Sequence, residues 1–183
     1  NDQDNRYYAR FAKIALIEPS DSQECKDFMR TAYEISEQFD MPVLFRTTTR
    51  VSHSKSLVEF GERTEVLPRP YVKNVAKNDC APGYAYQKHP KVEKMLKALE
   101  EYGNTCPLNR VEPGDGEVGV ITASIAYQYA KDVFPEGTSF LKLGLTNPLP
   151  IDLIRDFASK VRTLYVVEEL EGFMEEQIRA AGR

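Results

Sequence analysis

The sequence has no tryptophan, only two histidines and only three cysteines among its 183 residues. The cysteines, Cys25, Cys80 and Cys106, are odd in number and far apart. That pattern argues against a disulfide framework and fits a reducing, cytoplasmic setting. No pair has the C-x-x-C spacing of zinc or iron–sulfur ligands. Apolar runs are short, such as 118–121 and 164–167, and none nears the roughly 20 residues of a membrane span. The 24 lysines and arginines are outnumbered by 28 aspartates and glutamates, and no basic stripe stands out. Neither nucleic acid nor membrane is therefore an expected partner. Dinucleotide, Walker, zinc-protease and nucleophile-elbow motifs are all absent.

What is present is hydrophobic periodicity. Residues 14–17 form a short apolar run, a buried strand by pattern. Ser20 and Asp21 then offer helix N-caps, with Gln23 and Glu24 at capping-box spacing. Cys25, Phe28, Met29, Ala32, Tyr33 and Phe39 follow as the inward face of an amphipathic helix, which Pro42 prevents from continuing. Residues 43–49 are apolar and β-branched, a second strand. Strand, helix and strand make a βαβ unit and imply a parallel sheet.

Residues 51–88 show no clear period and carry Pro68, Pro70 and Pro82. A connection this long inside one domain is unusual, so a domain boundary is expected there. Order returns at Pro90, which suits a first helical turn. Val92, Met95, Leu96, Leu99 and Tyr102 make a helical stripe, with Gly103 as its C′ residue. Strands are expected at 118–122, 139–145 and 163–167. Helices are expected at 124–134 (Ile125, Tyr129, Ala130 and Val133 inward), from Pro150 (Leu153, Ile154, Phe157, Ala158 and Val161 inward), and at 172–181. This alternation implies a second doubly wound parallel sheet. The chain starts at Asn1 without methionine and ends just past a helical pattern, as a segment of a longer protein would.

Few residues carry candidate chemistry. Gly114-Asp115-Gly116, with Asn147 downstream, has the look of the metal–diphosphate motif of thiamine enzymes. It precedes a strand instead of following one, so it reads as a turn. His89, before Pro90, reads as a helix-entry residue. His53 follows a parallel strand, at the end of a sheet where ligands bind, and is a candidate polar contact. Glu168 and Glu169 follow another strand. They are either an acid–base pair or, more simply, caps of the next helix or a face toward a neighbouring subunit. Arg6 precedes the first strand. It is either a surface charge or a grip for a carboxylate.

Three stretches carry a family resemblance: Gln3 with the run 4–10, the run 18–24, and the run 46–53. With 141–150 and 164–169 further along, the sequence resembles the alpha subunits of indolepyruvate-type 2-oxoacid:ferredoxin oxidoreductases. The resemblance implies an α/β fold of parallel-sheet βα units. Residues 1–53 would be the second half of a thiamine-diphosphate pyrimidine-binding domain and 54–88 a connecting segment. Residues 89–183 would be a transketolase C-terminal-like domain. It implies oxidative decarboxylation of arylpyruvates to aryl-acetyl-CoA with thiamine diphosphate and Mg2+, [4Fe-4S] clusters, coenzyme A and ferredoxin. The rest of the alpha subunit and a smaller beta subunit would be partners. The activating glutamate, the metal motif and the cluster cysteines would lie elsewhere in the subunit. This chain alone is then expected to be inactive, with no catalytic residue, metal or bound cofactor of its own. What the resemblance implies here is Arg6 as the substrate arginine, and an R-x-S-H element, with Arg50 and His53 at an active-site or interface edge. Sister enzymes acting on pyruvate, 2-oxoisovalerate or 2-oxoglutarate, and a non-catalytic assembly module, are the alternatives.

Overall fold

The computed structural model describes residues 3–63, 65–68 and 70–182. The first third is a βαβ unit behind a short helix: α1 (Arg6–Ala12), β1 (Ala15–Ile17), α2 (Ser22–Phe39), β2 (Val43–Phe45) and α3 (Thr49–His53). Asp21 caps α2, its carboxylate accepting the Glu24 N–H at 2.8 Å. The return arm of the box closes on Ser20, whose N–H and Oγ both donate to Glu24 Oε2 at 2.8 Å. The buried stripe of α2 is Phe28, Ala32, Ile35 and Phe39. Met29 and Tyr33, expected inward, are 40% and 69% exposed, because each lies one position, or about 100°, beyond that stripe. Asp40, in the left-handed conformation at φ 50°, ends the helix. The second strand stops at Phe45 instead of reaching 49. Thr48 leaves the sheet and caps α3 by accepting from Val51 N.

Residues 54–74, where described, have neither helix nor strand and are almost wholly exposed. After α4 (Val75–Asn78) comes α5 (Pro82–Gly103), which starts eight residues earlier than Pro90 suggested. Pro90 lies inside it. A proline there removes one ladder hydrogen bond. The carbonyl so freed belongs to Tyr86, which lies on the exposed side of the helix. Of the expected stripe only Leu99 is fully buried. Gly103 is part of the helix, not its C′ residue; a Cβ there would sit 3.3 Å from Pro150 Cβ.

The remainder is β3 (Arg110–Glu112), β4 (Val118–Ala123), α6 (Ser124–Val133), β5 (Ser139–Leu143), β6 (Leu145–Asn147), α7 (Ile151–Ser159), β7 (Thr163–Val167) and α8 (Phe173–Ala180). One sheet has the order β3-β5-β4-β7, with β4 parallel to both β5 and β7 and β3 an antiparallel edge. Val120 and Phe140 face Tyr127 and Ala130 of α6. Ile121 and Leu141 face Ile154 and Phe157 of α7 and Ile178 of α8. Covering both faces is what a parallel sheet requires. On α6, Tyr129 and Val133 point outward instead of inward; Ala126 and Tyr127 take the buried face.

The strand expected over 139–145 is broken at Gly144, where the chain leaves one sheet for the other. A Cβ at Gly144 would lie 2.6 Å from the Leu108 carbonyl oxygen, so only glycine lets the two backbones approach. Beyond it, β6 pairs antiparallel with β1, in a second sheet of order β2-β1-β6. The two halves therefore share a ladder. They also share a core, in which Ala9 and Leu16 pack with Ile121, Leu141 and Phe173. A buried ion pair adds a third tie: Lys142 of β5, 0% exposed, pairs with Glu24 of α2 and sits 4.5 Å from the Phe28 ring centroid. Burial pulls the Lys142 ammonium below its usual value, and the Glu24 charge offsets part of that.

Candidate functional site

From β4 the chain crosses through α6 to β5 on one side, then through α7 to β7 on the other. Where crossovers diverge in this way, the loops at the carboxyl ends of the strands splay apart and leave a crevice. Four residues that directly follow parallel strands meet there: Glu18 after β1, Arg46 after β2, Ser124 after β4 and Glu168 after β7. With Arg6 they enclose a void of about 10 Å³. Glu18 and Arg46 were legible only as letters of the resemblance. Placement after the 14–17 run was the signal available for Glu18; Arg46 lay inside the expected 43–49 strand, and only the earlier end of β2 at Phe45 exposes it.

Arg6 is at the centre. It is 3% exposed. Its Nε donates to both Asp4 carboxylate oxygens at 2.9 Å. Its Nη1 donates to Glu168 Oε2 at 2.6 Å. Its Nη2 donates to the carbonyls of Glu169 and Glu171 at 2.7 and 2.8 Å, and to Asp4. The guanidinium also lies 5.2 Å from the Phe173 ring centroid. Burial works against its charge, but the Asp4 hydrogen bond and the Glu18 and Glu168 charges win, and the pKa rises. Burial likewise works to raise the Asp4 carboxyl, and Arg6 holds it below its usual value. The substrate role expected of Arg6 has to be weighed against these partners. A substrate carboxylate would have to displace Asp4 or Glu168, so the geometry makes Arg6 a clasp between the N-terminal segment and the β7–α8 loop.

Glu168 is equally committed. Besides Arg6, its carboxylate accepts the Met174 N–H at 3.0 Å and the Glu175 N–H at 3.1 Å, capping α8. Arg46 donates to Glu18 Oε1 and Asn5 Oδ1, both at 2.5 Å, and Glu18 Oε2 accepts from Thr146 Oγ1 at 2.6 Å.

Outside this buried polar layer opens a cleft of about 600 Å³. One wall is Thr47, Thr48, Thr49, Arg50 and His53; the other is Tyr129, Glu169 and Leu170. Arg50 has no ion pair among the described residues, whereas Arg46 is neutralised by Glu18. Leu170 is held at φ 67° with its side chain exposed, an uncommon state for a branched residue and one found at ligand sites. The cleft thus offers a cation and hydroxyls facing an aromatic and an aliphatic side chain. That arrangement suits an organic anion.

The remaining candidates lie elsewhere. His89 faces Glu93 at 3.3 Å on the exposed side of α5. Asp115 is in the turn at the amino end of β4, its N–H bonded to Gly137 O at 2.8 Å and its Oδ1 accepting from Glu117 N at 2.9 Å. Asn147 donates to the Ile14 carbonyl at 2.7 Å. Among the described residues no group of histidine, cysteine, aspartate or glutamate side chains could hold a metal ion. Asp115 and Asn147, the two residues of the thiamine-type motif, are engaged in these backbone hydrogen bonds, Asp115 just before β4 of one sheet and Asn147 at the end of β6 of the other.

No family model matches the chain. Curated proteins do. It is 35% identical over 187 residues to the indolepyruvate oxidoreductase subunit IorA of Archaeoglobus fulgidus, spanning 100% of this chain. To the same-named subunit of Methanothermobacter thermautotrophicus it is 39% identical over 98% of its length. This chain is homologous to one segment of the IorA subunits. It spans about 30% of the length of those relatives. Among solved structures, a 2-oxoglutarate:ferredoxin oxidoreductase from Magnetococcus marinus superposes with a TM-score of 0.58. That match covers 92% of this chain and 37% of the other, at 12% identity, and is a likeness of fold. No helix among the described residues is long and apolar enough to cross a membrane.

Proposed function

We propose that this chain is part of the thiamine-diphosphate-dependent subunit of an enzyme that oxidatively decarboxylates indolepyruvate and related arylpyruvates to aryl-acetyl-CoA, with ferredoxin as electron acceptor. The observation that carries the reading is the end-to-end match, at 35–39% identity, to IorA subunits. On this reading the thiamine diphosphate, its Mg2+, the [4Fe-4S] clusters and coenzyme A are held by other parts of the assembly. They supply the chemistry that these residues do not. The present residues contribute the scaffold and one edge of the site, with Arg50 and His53 facing the substrate or the smaller beta subunit across the cleft.

The test is steady-state reduction of ferredoxin by the assembled complex. Arg50→Ala should raise the KM for indolepyruvate about tenfold or more with kcat little changed, as loss of uniform substrate binding requires. His53→Ala in the same assay separates the substrate-facing and subunit-facing placements: the former changes KM, the latter the yield of assembled complex. An Arg50→Ala complex with wild-type kcat/KM and wild-type assembly would remove Arg50 from the site. A second reading, a sister enzyme for another 2-oxoacid, is favoured by the 2-oxoglutarate enzyme among the fold neighbours. Assays with indolepyruvate, pyruvate, 2-oxoisovalerate and 2-oxoglutarate decide between them.

A further inference from the structure

A second cavity, of about 570 Å³, lies at the amino ends of β1 and β2, the opposite side from the cleft. It is walled by the end of α1, the α2–β2 turn, α4 and the first half of α5. Its floor is apolar: Ile14, Met41, Val92 and Met95. Methionines give such a floor the ability to remould around an apolar guest. Lysines stand around it, and their partners divide them. Lys13 is neutralised by Glu93, and Lys77 by Asp40 at 2.6 Å. Among the described residues Lys88 donates only to a backbone carbonyl, that of Asp79, at 2.5 Å. Lys91 has no ion pair among the described residues. Two uncompensated cations therefore border an apolar cavity whose size is that of a small-molecule site.

We propose that this cavity is a ligand site for a small amphipathic anion. An aromatic or short acyl body would lie on the Met41–Met95 floor, with a carboxylate or phosphate head between Lys88 and Lys91. The site is separate from the cleft, and it stands whether or not the proposed reaction is correct.

The four methionines provide the readout, since Met41 and Met95 line the cavity and Met29 and Met174 do not. The chain labelled with [methyl-13C]methionine is titrated with phenyl phosphate, indole-3-acetate and decanoate, and with benzyl alcohol as a neutral control. The expected result is a saturable shift of the Met41 and Met95 methyls alone. Lys88→Glu with Lys91→Glu should weaken the effective anion about tenfold or more. Met174, fully buried in the shared core, reports in the same spectra that the variant is folded. Comparison of phenyl phosphate with the two carboxylates shows which head group is preferred. The proposal is overturned if no anion shifts Met41 and Met95 by about 10 mM, which is weaker than ordinary specific binding. It is equally overturned if benzyl alcohol matches the anions, or if the double variant binds them unchanged.

Discussion

Arg6 shows what a buried charge demands of its neighbours. A guanidinium out of water is tolerated only with its hydrogen bonds made and its charge balanced. Asp4, Glu168 and two carbonyls do both. Arg6→Met keeps most of the volume but leaves two carboxylates buried without their partner. It should cost about 3–5 kcal/mol in urea unfolding. A loss below about 1 kcal/mol, the scale of a surface pair, would mean that the clasp is slack. The pH dependence has a definite sign. Asp4 titrates below its ordinary 3.8 when folded, so the unfolded chain binds that proton more readily. The stability it contributes is complete above its unfolded pKa and is lost as pH falls through the folded value. Asp4→Asn should flatten the fall of Tm below about pH 4, and an unchanged acid profile would place that dependence elsewhere. Nothing local in the sequence announces this network. Asp4 is two residues from Arg6, but Glu168 is 162 away, and only the fold brings it near.

Elements were legible where period and punctuation agree. The strand at 163–167 and the helices after Ser124, Pro150 and Gly172 all lie where apolar spacing put them. Those that were missed have separate causes. β3 is three residues, two of them charged, on an antiparallel edge, and has too few side chains to show a period. α5 runs through a proline because its first half is solvated. The Gly114–Gly116 turn is the element on which sequence and structure can be tested most sharply. A Cβ on Gly114 would stand 1.9 Å from the Gly137 carbonyl oxygen, a backbone atom that cannot step aside. Gly114→Ala must open the turn and lose the Asp115–Gly137 hydrogen bond. That should lower stability by about 2 kcal/mol or more, seen as a reduced Tm in calorimetry. Asp115→Asn keeps the turn and an acceptor for Glu117 N, so its Tm should stay within about 2 °C of wild type. In the assembled enzyme it should also leave activity intact, whereas a metal-binding aspartate would not survive the change.

On the scale of the whole molecule, the two runs of βα units share a strand ladder and a core. Period and composition could place a long polar connection at 54–88; residues 54–74, where described, are almost wholly exposed, and α4 and the start of α5 occupy the rest. Period and composition could not place β6 beside β1, because pairing of Leu16 with Asn147 and Ile17 with Leu145 is a contact across nearly the whole sequence. The ladder, the shared core and the Lys142–Glu24 pair all cross between the halves, while residues 54–74, where described, add chiefly the Gln23–Glu59 hydrogen bonds to covalent linkage. Its apolar side chains, Leu57, Phe60 and Leu67 among them, lie in solvent. Such a segment should be cut readily by protease without loss of the fold. Brief trypsin treatment that cleaves after Arg63 should give two pieces that co-elute on size exclusion at the volume of the intact chain. The circular dichroism should be unchanged, and the pieces should separate only in denaturant. Pieces that part in buffer alone would mean that the ladder and core between the halves are too weak to hold without the peptide link, and that residues 1–53 and 89–183 behave as the separate domains the sequence suggested.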